Sequence, residues 1–376
     1  MKFSKTNPFG YGTVVSGERF YDRREECARI VATLSGGNNL VLYAPRRFGK
    51  TSLVFKAIGE LEAMGFVCVY FDFMQVFSPE SFVRLFSKAL AAKMGNLTRF
   101  AEILATAIKT LRPVLGFGDD GKPELSIDFS GGGVDETTVS RLLDLPEKIA
   151  GEGKRLLVFF DEFQEMEKLS GINFEGLLRG KVQQSRNVNY LFFGSKTHIL
   201  KTLFNDRGRA FYNAASQMSI GPLPRAETVA FLMEKFAADG MEVDATVVEE
   251  IIKIAGDIPH YIQLLAAETW QRLAGSGGKV TAEIVSEAAD VVLGLKSDYY
   301  AELFDRQSNS KKELLLALAA RGGKNIFSAQ YRRVNALPGA PTLQRAVAGL
   351  VAGGIIEKNK DGYFIADPFF KRFLVK

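Results

Sequence analysis

Five short apolar runs mark the first 224 residues: 39–44 (NLVLYA), 66–73 (FVCVYFDF), 155–160 (RLLVFF), 190–194 (YLFFG) and a weaker 217–221 (QMSIG). Continuous apolar runs of this length read as strands buried on both faces, as in a parallel sheet. Between them, 51–64, 79–94, 136–150 and 174–184 have helical character. This alternation predicts an α/β domain with crossover helices. Residues 113–134 (PVLGFGDDGKPELSIDFSGGGV) interrupt it. Turn signals there surround an alternating segment at 124–129, which predicts a β-hairpin or loop insertion.

After Pro224 the strand signal vanishes. Helical periodicity runs through 226–238, 244–255, 260–274 and 281–293, broken at Gly240, at Gly256-Asp257-Ile258-Pro259 and at Gly275-Ser276-Gly277-Gly278. Three more helices are expected at 311–320, 328–335 and 342–352. The stretch IIEKNKDGYFIAD then reads as two strands about an Asp361-Gly362 turn. Three helices followed by a hairpin is the winged helix-turn-helix pattern. The expected domains are 1–224, 225–300 and 301–376.

Composition narrows the chemistry. With 47% hydrophobic and 24% charged residues the 376-residue chain can bury sizeable cores. Two cysteines exclude a disulfide framework and a four-cysteine metal site, and two histidines argue against a histidine-built centre. The opening MKFSKTNPFGYG lacks the apolar stretch of a signal peptide, and no run approaches the ~18–20 apolar residues that span a bilayer. A cytoplasmic protein without a membrane partner is expected. The net charge is +5, yet residues 301–376 alone carry seven Lys and six Arg against three Asp and three Glu. That basic tail is the candidate surface for an acidic partner.

Residues 44–52 carry the sharpest motif: Ala44-Pro45-Arg46-Arg47-Phe48-Gly49-Lys50-Thr51-Ser52. It is a phosphate-binding loop, G-x-x-x-x-G-K-[ST], with Ala44 in place of the first glycine. Such a loop wraps backbone N–H groups around phosphate oxygens at a helix N-terminus. Gly49 permits close approach, Lys50 supplies a point charge to the β/γ-phosphates, and Thr51 offers a hydroxyl to Mg²⁺. The loop follows an apolar strand and opens a helix, as the motif requires. ATP or ADP and Mg²⁺ are therefore the expected ligands.

Downstream, LLVFFDEFQEM is a buried strand ending in Asp161-Glu162. Asp161 can hold Mg²⁺ through its water shell, and Glu162 can polarise the attacking water. Ser195, at the end of the next strand, is either a sensor facing the γ-phosphate or an ordinary strand-end serine. Arg207 and Arg209 (NDRGRAF) are either arginine fingers, in cis or in trans, or solvated charges. In the tail, Gln344 and Arg345 open the third helix and Lys358 and Lys360 sit on the wing, with Arg332 and Arg333 nearby. These suit duplex DNA, whereas the small apolar remainder of that helix (AVAGLVAGG) suits packing on a protein.

Taken in order, NPFGYGTVVSGERFYDRREE, APRRFGKTSL, VFFDEFQEM, GDIPHYIQLLA and the terminal winged helix resemble the archaeal-type predicted ATPases, on the AAA+/STAND side of the P-loop NTPases. The resemblance covers nearly the whole chain. It implies a three-layer αβα P-loop NTPase fold with strand order 5-1-4-3-2, a helical lid and a winged helix. It also implies an adenine site near Phe20, Tyr21 and Arg23, and a Gly-x-Pro-like lid motif in which Pro259 and His260 contact the nucleoside. No arginine occupies the lid position of a second AAA+ sensor. Three readings follow: an ATPase coupling nucleotide state to movement, a slow STAND-like switch or scaffold, and a nucleotide-tuned DNA-binding regulator. A nucleotide-dependent oligomer is compatible with each.

Overall fold

The computed structural model describes residues 6–13, 23–118, 121, 123–129, 133–151, 155–274 and 277–376. Two compact units emerge, Arg23–Gly221 and a second made of Met1–Asp22 with Pro222–Lys376.

The first unit holds strands β1 (Leu40–Tyr43), β2 (Val67–Asp72), β3 (Leu111–Phe117), β4 (Pro123–Phe129), β5 (Leu156–Asp161), β6 (Val188–Gly194) and β7 (Ser216–Ser219). Its helices are α1 (Arg24–Ser35), α2 (Lys50–Ala63), α3 (Pro79–Ala91), α4 (Leu97–Ala107), α5 (Glu136–Leu143), α6 (Leu145–Ala150), α7 (Phe174–Gln184) and α8 (Thr197–Asn205). Five strands form one parallel sheet in the order β2-β5-β6-β1-β7. Counted along the sheet-forming strands alone, this is the 5-1-4-3-2 arrangement implied by the resemblance.

Strand residues alternate between the two faces of the sheet. Phe71, Phe160 and Phe192 point to one face, where they meet Phe82 and Phe86 of α3, Phe174 of α7 and Phe204 of α8 in an aromatic core. Leu42, Phe159 and Leu191 are fully buried in the alternate positions. Helices α1 and α2 pack together and against the sheet through Ile30, Leu34, Leu53 and Ala57. β3 and β4 form a separate antiparallel hairpin that starts two residues before the expected 113–134 insertion, and Leu125 and Ile127 turn one of its faces into the aromatic core.

Two details depart from the sequence reading. The single helix expected at 136–150 is two, because Pro146 cannot continue the hydrogen-bond ladder of α5 and instead opens α6. Helices α1, α4 and α8 also form, where the sequence pattern marks none.

The second unit begins, beyond Gly221, with α9 (Arg225–Ala238), β8 (Met241–Val243), α10 (Ala245–Ile254), α11 (Pro259–Leu273), β9 (Gly278–Val280) and α12 (Ala282–Gly294). β8 and β9 pair in parallel, which corrects the expectation that the 225–300 segment is purely helical. The N-terminal segment packs on these helices: Asn7 Nδ2 donates to the Ala267 carbonyl, the Gly10 N–H to Gln263 Oε1, and Phe9 stacks obliquely on Phe236. Then come α13 (Ser297–Asp305), α14 (Asn309–Arg321), α15 (Ala329–Val334), α16 (Ala340–Ala352), β10 (Ile356–Asn359), β11 (Gly362–Ile365) and α17 (Pro368–Val375).

The winged-helix pattern holds in detail. Leu343, Ala346, Val347 and Leu350 bury one side of α16, while Gln344 and Arg345 are exposed. Asn359 pairs with Gly362, so the turn is Lys360-Asp361, one residue earlier than the expected Asp361-Gly362. α17 ties this module to α12, with Arg372 and Lys376 both on Asp290. Among the described residues, no helix is long and apolar enough to cross a membrane.

Candidate active site

The phosphate loop leaves β1 at Ala44, which is fully buried, so its methyl belongs to the packed strand end. Arg47 (φ 71°) and Gly49 (φ 76°) both take the left-handed conformation. Backbone of this kind turns N–H groups toward one side, the geometry of an anion nest. A methyl on Gly49 would meet no atom within 4 Å, so glycine is needed there for conformation and not for space. Arg47 holds the same region with a side chain, at a cost of about 1–2 kcal/mol. Gly49 caps α2 without a side-chain acceptor. The N-terminal turn of such a helix is a place where an anion can be held.

Lys50 opens α2 and is buried. Its Nζ lies 3.0 Å from Glu162 Oε1 and 3.3 Å from Asp161 Oδ1, and 5.6 Å from the Phe193 ring centroid. Asp161 ends β5, and its Oδ2 accepts the Tyr70 hydroxyl at 2.7 Å while Oδ1 accepts the Glu162 N–H at 2.8 Å. Glu162 takes φ 45°, a strained turn for a side-chain-bearing residue. Its Oε2 accepts from the Ser195 N–H (3.0 Å), the Ser195 hydroxyl (3.0 Å) and the Gln164 amide (2.5 Å). Burial pushes the Glu162 carboxyl up. The Lys50 charge and the Ser195 and Gln164 donors outweigh it and hold the group down to about 2.

Asp72 ends β2 in register with Asp161. Burial, with the charges of Asp161 and Glu162, pushes its carboxyl above the usual range against the Met74 N–H it accepts. Asp161 and Glu162 share the one Lys50 ammonium, and a hard cation with oxygen ligands suits such an acidic strand end. Thr51, on the first turn of α2, and Asp161 are the donors that fit. Among the described residues no group of three acidic, His or Cys side chains forms a cage for an ion. A Mg²⁺ here would take its remaining ligands from phosphate and water, as that ion usually does.

The other marked residues fall as follows. Arg46 Nε lies 3.4 Å from the Ser195 hydroxyl, and both loop arginines are exposed. Arg23 is buried, and its guanidinium donates to the carbonyls of Phe48 and Gly221 and pairs with Glu26, so it braces the phosphate loop from behind. Phe20 and Tyr21 lie outside the described residues. Arg209 is held by Glu167 and Glu175, whereas Arg207 is exposed. Pro259 opens α11, with the His260 ring 6.4 Å from Tyr11. Lys358 and Lys360 are exposed on the wing, Lys358 over the Tyr363 ring.

Sequence reasoning missed Tyr70, Asp72 and Gln164. The first two sit in VYFDF, at the end of a run read only as a strand. Gln164 sits in DEFQE, two places past the marked acids.

Residues 20–265 match the family model described as an ATPase domain predominantly from Archaea, and residues 298–376 match a probable winged helix domain. No curated protein matches the chain significantly. Among solved structures, the Walker-type ATPase PABY2304 of Pyrococcus abyssi is similar at 19% identity with a TM-score of 0.64, over 96% of this chain and 97% of that one. The ORC2 protein of Aeropyrum pernix, solved as ADPNP–ADP complexes, is similar at 14% identity and TM-score 0.58, over 98% and 97%. Its ADP form gives 15% and 0.55 over the same shares. At such identities the likeness is one of fold, a P-loop NTPase sheet followed by helices and a winged helix. On the family match across most of its length, the chain belongs to the archaeal-type ATPase domain family, with a winged helix domain at its C-terminal end.

Proposed function

We propose that the protein binds ATP with Mg²⁺ at the 44–52 loop, hydrolyses it, and couples nucleotide state to its helical and winged-helix segments. The observation that carries this reading is the convergence of Lys50, Asp161, Glu162 and Ser195 at the C-terminal ends of β5 and β6, beside a loop with left-handed residues at 47 and 49. Ligands of open parallel sheets bind at that edge.

In this reading the loop N–H groups and Lys50 hold the phosphates, and Thr51 and Asp161 hold Mg²⁺. The ion supplies neutralisation of charge on the phosphate oxygens. Glu162 takes the proton of the attacking water, and Ser195 fixes Glu162 and reports on the γ-phosphate. Arg207 is the finger we assign, since Arg209 is committed to Glu167 and Glu175. The family resemblance assigns Phe20, Tyr21, Pro259 and His260 to the nucleoside end, and Arg23 supports the loop. Calorimetric titration of ATP·Mg²⁺ into the wild type and into Lys50→Ala tests the binding step. Saturable binding by the wild type alone supports it, and equal binding by both defeats it.

A slow, gated turnover of the STAND type is favoured by one observation. Glu162 Oε1 is ion-paired to Lys50 and Oε2 takes three donors, which together hold the carboxylate down and make it a weak base toward a water. Turnover well above about one per minute, toward the ~1–100 s⁻¹ usual for phosphoryl transfer, would count against gating. For the partner, exposed Gln344, Arg345, Lys358 and Lys360 lie on the elements that a winged helix presents to duplex DNA. A protein partner on the same face would leave the full chain without affinity for duplex DNA at low salt. Size-exclusion runs with and without ATP test for a nucleotide-dependent oligomer.

A further inference from the structure

Gln164 follows the acidic pair on the turn after β5 and is only 3% exposed. Its Nε2 donates to Glu162 Oε2 at 2.5 Å. Its Oε1 is buried and has no hydrogen-bond partner among the described residues. The opposite amide orientation would set an oxygen against a carboxylate, so the orphan atom is the acceptor. That acceptor rests on Gly194, the last residue of β6. A Cβ built on Gly194 would stand 2.0 Å from Gln164 Oε1 and 3.1 Å from its Cδ. Gly194 has an ordinary φ, so here the glycine is required for space alone.

A leucine or methionine at 164 would fill the same volume without stranding a polar atom. What the amide adds is its N–H on Glu162. Together with Ser195, that donor fastens Oε2 to the protein and leaves Oε1 turned toward Lys50, where phosphate is to bind. We infer that Gln164 is a positioning residue that fixes the Glu162 carboxylate with Oε1 presented to the attacking water, and that Gly194 is glycine to give it room. This rests on Glu162 acting as the base. Because the Gln164 amide donates to Glu162 and Gly194 carries no side chain, the contribution falls on the chemical step and not on ATP binding.

The test is steady-state hydrolysis of ATP·Mg²⁺ by the full-length wild type, Gln164→Ala, Gly194→Ala, their double variant and Glu162→Gln. Gln164→Ala should lower kcat about ten- to hundredfold at unchanged KM, the scale of a base misplaced by about 1 Å. Gly194→Ala should do the same, because its methyl evicts the amide. The double variant should be little slower than Gln164→Ala, since only the Leu200 Cδ1, 3.2 Å from the built Cβ, then has to give. Gln164→Leu keeps the volume, drops only the donor, and should lose kcat equally, which guards against collapse of the site. A Gln164→Ala or Gln164→Leu kcat within twofold of wild type, while Glu162→Gln is inactive, overturns the inference and leaves the base assignment standing. Wild-type turnover by Glu162→Gln overturns both.

Discussion

Lys50 Nζ stands 3.0 Å from Glu162 Oε1, both groups being withdrawn from solvent, and the same ammonium reaches Asp161 at 3.3 Å. The lysine at position 50 is thus the counter-ion of both acids. Removing one member of a buried ion cluster leaves the others uncompensated, typically at about 3–5 kcal/mol. Lys50→Ala should therefore lose stability on that scale in urea unfolding without nucleotide, as well as losing ATP binding. Adding Glu162→Gln should recover part of the loss. An unfolding midpoint equal to wild type would mean that the pair contributes nothing to the fold.

Two carboxyls of the cluster move in opposite directions with pH. Glu162 is held down from its ordinary 4.5 to about 2, so its charge contributes stability that is full above 4.5 and is lost as pH falls through 2. The stability difference between wild type and Glu162→Gln should shrink across that window. Asp72 is raised above its ordinary 3.8, so its ionisation opposes folding at neutral pH. Asp72→Asn keeps the acceptor for the Met74 N–H and should be more stable than wild type at pH 7, with the gain fading as pH falls through the raised value toward 3.8. Urea midpoints from pH 2 to 7 read both effects, and parallel curves for the three proteins would contradict them.

In the wing, Gly362 has φ 132°, and a Cβ there would lie 2.3 Å from the Gly323 carbonyl oxygen. The tight approach belongs to the Gly323–Tyr363 bridge, which joins the loop after α14 to β11. Gly362→Ala should cost at least about 2 kcal/mol, combining a strained φ with a backbone clash. A lowered unfolding temperature checks this, and a value within a degree of wild type would contradict it.

The wing lysines bear on the partner. If the basic module binds duplex DNA through phosphates, affinity should fall steeply with salt. Replacing Lys358 and Lys360 together by alanine should then reduce the log–log salt slope by about two. Fluorescence anisotropy across a salt series measures it. No binding of duplex by the full chain at low salt would point instead to a protein partner.

Much of this architecture was legible locally. The runs NLVLYA, RLLVFF and YLFFG are buried on both faces, which is why they carry no alternation and read as parallel strands. β8 and β9 escaped because MEV and GKV are three residues each and pair across the intervening helices. The phosphate loop and Asp161-Glu162 announce themselves by residue type and spacing, and Lys50 and Glu162 do meet. Asp72 gives no such local sign. Its place depends on the β2–β5 register, which sets it beside Asp161 from far along the chain. Gln164 likewise gains meaning only through Gly194, a residue of the next strand.

The most direct test of the account is ATP turnover by wild type and Glu162→Gln, with nucleotide binding measured on both. The account predicts that the substitution retains ATP·Mg²⁺ binding and abolishes hydrolysis, because the amide keeps the shape at 162 but cannot accept the water's proton. Hydrolysis continuing at the wild-type rate would contradict it, and the base would have to be sought elsewhere.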